Sequence, residues 1–234
     1  MKQVRYFGVL IVATLAMSVV GVSSAVAAAV PTWVVKGSEL SGSAAFKGTG
    51  GESKLYKAGK EEVKCTASSV TGEIEQKAGE AGKDKKTVVT YTGCESTGAI
   101  KVKVKSPGQA EGTIKTESLK SLLAFKPGTK EVVDALMPET GALFTTIEAA
   151  GGIVKIPVEG SVIGLFSPQA KPAVKGELIF SVTAGNEQLI PKFEAEEGSK
   201  VETEDTLEVK GEKGAYKGTE SIELNSKEEV EARP

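Results

Sequence analysis

Histidine is absent from the 234-residue chain. That removes Ser-His-Asp and Cys-His hydrolases, imidazole zinc sites and every imidazole general base. Arginine occurs only at Arg5 and Arg233, so bidentate guanidinium clamps on phosphate or base edges are almost unavailable, and no nucleic-acid partner is expected. Of 31 acids only Asp84, Asp134 and Asp205 are aspartate, too few for the aspartate-dense loops of calcium sites. Aromatics are scarce, with seven Phe, four Tyr and one Trp (Trp33), which leaves little for a platform that stacks sugars or bases. The residue set implies no metal and no organic cofactor.

What is present begins with an export pattern. Lys2 and Arg5 precede an apolar run over residues 6–22, followed by Ser23, Ser24 and Ala25-Val26-Ala27-Ala28-Ala29 ahead of Pro31. Charge, apolar core and small residues in that order read as a secretory signal over residues 1–28, with cleavage between Ala27 and Ala29. The apolar run is marginal for spanning a bilayer and no second one follows, so no transmembrane span is expected after cleavage. The expected location is outside the cytoplasm, secreted or associated with the cell envelope. There the two cysteines, Cys65 and Cys94, are expected to pair in a structural disulfide. They stand too far apart for a redox CxxC motif.

Past Pro31 the sequence reads as short strands punctuated by Gly- and Pro-rich turns, the pattern of an all-β antiparallel β-sandwich or barrel with little helix. Residues 99–104 alternate, with Ile100, Val102 and Val104 on one face and Lys101, Lys103 and Lys105 on the other, which predicts a half-buried strand. Residues 116–125 fit either a short helix or a strand, and the Pro127-Gly128 turn that follows favours the strand. Residues 77–86, rich in Lys, Glu and Gly, read as an exposed loop between the cysteine-bearing strands. The main β domain is drawn over 29–195. Residues 196–234 read as a charged C-terminal extension, a last hairpin and then disorder from about Asn225. Charge divides the same way, with 13 acids against 6 bases over 194–234 and 18 against 21 over 29–193.

Trp33-Val34-Val35, Tyr91-Thr92-Gly93-Cys94, Ser106-Pro107-Gly108 with Gly112-Thr113-Ile114, and Gly160-Ser161-Val162-Ile163-Gly164 carry a resemblance. Over residues 30–195 the chain resembles a loose group of exported β-rich proteins, without assigned function, from high-GC Gram-positive soil bacteria. The resemblance implies export and a β fold and brings no activity with it. Members of that group carry further cysteines near the positions of Lys105 and Ala149, so their second disulfide is not available to this chain.

No serine has a lysine three residues on, so the helical Ser-Lys dyad is missing. Gly79-Glu80-Ala81-Gly82-Lys83 lacks phosphate-loop spacing, and Asp84 stands where a magnesium-binding hydroxyl belongs. The reading is therefore a non-enzymatic exported module, structural or binding, whose partner is an envelope polymer or polysaccharide met by Lys101, Lys103 and Lys105. Two alternatives stay open. One is a barrel carrying a small apolar ligand. The other is a glycoside hydrolase using two carboxylates, with Glu148 and Glu177 as first suspects.

Overall fold

The computed structural model describes residues 29–198, 202–204 and 206–234. About 60% of the described residues are strand and 2% helix, so the fold is all-β. The first half supplies β1 (Thr32–Val35), β2 (Ser38–Glu39), β3 (Gly42–Gly50), β4 (Ser53–Lys57), β5 (Lys60–Cys65), β6 (Ala67–Gln76), β7 (Lys83–Thr92), β8 (Glu95–Ser96), β9 (Thr113–Lys115) and β10 (Leu119–Phe125). The second half supplies β11 (Val132–Pro138), β12 (Leu143–Ala149), β13 (Val154–Gly160), β14 (Val162–Ser167), β15 (Gly176–Phe180), β16 (Lys192–Glu194), β17 (Glu202–Glu204), β18 (Leu207–Val209), β19 (Glu212–Leu224) and β20 (Val230–Arg233).

Eight of these close an antiparallel barrel in the order β3-β6-β7-β10-β11-β14-β15-β19, with β19 returning to β3. Closure gives each of these eight strands a partner on both sides and selects barrel over sandwich. The other strands prolong the walls. The first half of β19 pairs with β4 and β18, and from these the ladder passes through β5 to β8 on one side and through β13 to β12 on the other. Bridges from Lys103 to Glu95 and from Lys105 to Glu148 complete a second circuit beneath the first. One hydrophobic cluster fills both, from Trp33 and Leu123 at one end to Ile147 and Val209 at the other.

Alternation decides what faces inward. On β11, Val132 and Leu136 enter the main core, while Val133 and Ala135 face outward beneath Ile190 and Phe193 in a second cluster. That cover buries β11 on both faces. Elsewhere the outer faces carry Lys–Glu pairs such as Lys47–Glu223 and Lys83–Glu80, not the apolar band of a lipid-facing barrel.

One end is shut. Strand β1 pairs with β20 and β2 across it. The Trp33 backbone N–H donates to Gln76 Oε1 at 2.9 Å, and the Trp33 ring meets Phe166 edge-on at 5.4 Å. Gly82 is required there, since a Cβ at that position would stand 2.7 Å from the indole. We call this the closed end. At the other, the hairpin end, four turns converge: Ala58-Gly59, residues 97–102, the turn around Ala150–Gly152, and Lys210-Gly211.

Three expectations are corrected. Residues 99–104 do not form a strand. Only the bridges at Lys103 and Lys105 reach neighbours, Val104 is buried, and Ile100 is 79% exposed. The loop over 77–86 is shorter than read, because Lys83 already begins β7 and Asp84 is buried. The C-terminal extension is wall, not appendage: β19 serves both circuits, and β20 buries Val230 and Ala232 against the closed end. Residues 116–125 resolve as a strand, with β10 over most of that length.

Candidate functional site

The disulfide expected from the sequence is formed. Cys65 ends β5 and Cys94 lies between β7 and β8, and the bond ties the walls where the two circuits meet. Both cysteines are buried in the main core.

The predicted lysine stripe is divided. Lys105 pairs with Glu111 at 3.0 Å. Lys101 and Lys103 lie exposed at the hairpin end, without an ion pair among the described residues. Two lysines from other turns, Lys60 and Lys210, are exposed there in the same state. Sequence spacing cannot bring these four together, because they belong to three turns far apart in the chain. Between the turns lies an apolar depression of about 90 Å³, with Leu55, Val63, Ile147, Ile156 and Val209 among its lining and Lys57 and Lys210 beside it.

The carboxylate suspects do not meet as a hydrolytic pair. Glu148 is bonded to Lys155 at 3.1 Å on β12, and Glu177 is an exposed residue of β15. The acids inside the barrel are others. Asp84 on β7 stands in register with Ser121 of β10, and Asp134 on β11 in register with Leu123. Both carboxyls are almost fully buried. Burial lifts the Asp84 pKa well above the usual range, and the nearby Asp134 charge lifts it further, with Ser121 acting in the opposite sense. Burial likewise pushes Asp134 up to about 6. Two buried carboxyls of like charge disfavour being ionised together. One oxygen of each, with the hydroxyls of Thr87 and Ser121, makes no hydrogen bond among the described residues.

A third interior acid, Glu220 of β19, accepts from Ser68 Oγ at 2.7 and 2.8 Å and from the Tyr216 hydroxyl at 3.4 Å. Burial raises its pKa, partly offset by these donors. Asp134 was open to detection in the sequence, since it shares strand parity with Val132 and Leu136. Lysines on both sides of Asp84 hid it.

The cavity these acids line holds about 80 Å³, bounded otherwise by Trp33, Phe46, Val89, Leu136, Phe166 and neighbouring apolar side chains. Pockets for drug-sized ligands run to roughly 300 Å³ or more, so the interior offers a few water volumes and no carrier-sized site. A wider depression of about 400 Å³ opens on the outside beside Ser43, Gln76 and Lys77, and the Lys85–Glu75 pair lies at its edge. No helix among the described residues is long and apolar enough to cross a membrane. No protein-family model, curated protein or solved structure matches the chain.

Proposed function

We propose that this protein is an exported, non-enzymatic binding module that holds to a polyanionic surface of the cell envelope through the hairpin end of its barrel. The observation that carries the reading is the gathering of Lys60, Lys101, Lys103 and Lys210 there, exposed and without ion-pair partners among the described residues. Most charged side chains elsewhere on this surface sit in Lys–Glu pairs, as Lys47 does with Glu223 and Lys36 with Glu228. Unpaired lysines on convergent turns form a local positive field that attracts polyanions at low salt. The export signal over residues 1–28 lies outside the described residues, and the formed disulfide supports an oxidising compartment. The lack of His, the near-lack of Arg and an interior too small for a substrate favour binding over catalysis.

The test is retention on an immobilised polyphosphate resin at low salt. Wild type should be retained and released by added salt, while Lys101→Glu with Lys103→Glu should flow through. Wild-type flow-through at low salt would remove the reading.

A further inference from the structure

The hairpin end is apolar as well as basic. Ile153 is 86% exposed, Ile100 79% and Val154 43%, and only Val174 and Leu189 are large hydrophobics exposed elsewhere among the described residues. Ile100 sits in the turn over residues 97–102 and Ile153 closes the turn around Ala150–Gly152, and the Lys105–Glu148 bridge joins the segments that carry these two turns. Neither side chain serves the core. Scattered single hydrophobics need no explanation, but three gathered on convergent turns do.

We infer that these turns dock the protein on an anionic lipid bilayer, with Ile100 and Ile153 entering the headgroup region and the surrounding lysines lying over it. The inference rests on the polyanion-binding reading above and names the surface. A soluble polymer gives a reason for the lysines and none for the isoleucines. A bilayer accounts for both, because apolar insertion and attraction to acidic headgroups act together at an interface. At this end Lys60, Lys101, Lys103 and Lys210 make no ion pair among the described residues, beside Glu62, Glu95 and Glu208. Glu61, Glu148, Glu187 and Glu212 are engaged by Lys54, Lys155, Lys213 and Lys57. At the closed end Trp33, Val230 and Ala232 are buried, and Val174, next to the Ala173–Val230 bridge, is a single exposed hydrophobic there.

The experiment is co-sedimentation of the disulfide-bonded protein with phosphatidylcholine vesicles and with vesicles containing phosphatidylglycerol, run beside the polyphosphate resin. Wild type should sediment with the acidic vesicles only. Ile100→Ser with Ile153→Ser should weaken vesicle binding at least about tenfold, the partitioning worth of one buried isoleucine, and leave resin retention unchanged. Both side chains are exposed, and an unchanged circular dichroism melt would confirm that the variant folds. Resin retention without vesicle binding by wild type would overturn the lipid inference and leave the polyanion reading standing. Equal vesicle binding by wild type and the serine variant would overturn it as well. Failure on both resin and vesicles would overturn the two together.

Discussion

Asp134→Asn tests the electrostatics of the barrel interior most directly. The Asp134 pKa is raised from 3.8 to about 6 by burial. When a folded-state pKa is raised, the group favours the folded state fully below its unfolded value, and that contribution is lost as pH rises through the folded value. A lift of about two units corresponds to ~3 kcal/mol, absent at pH 7.5 and regained on acidification toward pH 4. Asp84, raised well above its ordinary value by its own burial and by Asp134, acts with the same sign. Asparagine keeps the shape, removes the charge and brings N–H donors beside the unpaired oxygen of Asp84. The variant should therefore match wild type near pH 4 and exceed it by ~3 kcal/mol at pH 7.5, a rise of roughly 6–12 °C in melting temperature for a chain of this size. Surface carboxylates act with the opposite sign. Glu52, Glu75 and Glu80 are held low by hydrogen bonds from Lys64, Lys85 and Lys83 and lose that advantage on acidification. They are common to both proteins, so the difference between the two urea-unfolding profiles isolates the interior pair. A difference that is constant with pH, or that grows toward acid, would refute the argument.

Two further outcomes follow from the way the walls are tied. Replacing Cys65 and Cys94 by alanine opens a loop of about 30 residues and should cost ~3.5 kcal/mol on the chain-entropy account, read as a lower urea midpoint with unchanged far-ultraviolet circular dichroism. Deleting residues 229–234 removes β20 and uncovers Trp33, so the indole emission should shift to the red and stability should fall by several kcal/mol. A disordered tail would produce neither change.

How far the sequence disclosed the fold depended on how local the deciding contacts are. The β class, the cysteine pair and the strand over Leu119–Phe125 rest on alternation, turn residues and compartment, all readable along the chain. Barrel closure was not readable, since it depends on β19 meeting β3 and on β7 meeting β10, pairings that no local pattern encodes. Residues 99–104 misled because alternation shows which faces a strand would have, whereas a strand also needs a partner on each side. The partners reach only Lys103 and Lys105, and Ile100 lies past them. The acidic C-terminus misled through composition. The segment is poor in apolar residues, but those it has are placed to enter the walls, with Leu207, Val209, Tyr216, Ile222 and Leu224 in the main core. Several of its acids meet lysines from earlier in the chain, Lys36 with Glu228, Lys47 with Glu223 and Lys57 with Glu212. For the candidate site, the sequence pointed to Lys101 and Lys103 and missed Lys60, Lys210 and Ile153, which only the convergence of four turns brings beside them.

The contrast between the two ends bears on which features of this molecule stability explains. At the closed end the buried side chains have structural reasons: Trp33 plugs the mouth, Gln76 accepts the Trp33 backbone N–H and donates to the carbonyls of Lys77 and Glu80, and Gly82 gives the indole room. At the hairpin end the turns need only glycine and polar residues to reverse the chain, and Gly59 and Gly211 supply the positive φ that two of them require. Exposed isoleucines add nothing to such turns, and they leave apolar surface in water that a polar residue would not. Lysines without partners on adjoining turns repel one another mildly. Neither feature improves folding, and each improves adhesion to an acidic, partly apolar boundary. Replacing Ile100 and Ile153 by serine should accordingly leave the melting temperature unchanged or slightly higher while weakening vesicle binding. A clear fall in melting temperature would mean that the isoleucines serve the fold after all, and the hairpin end would lose its claim to be a binding surface for lipid.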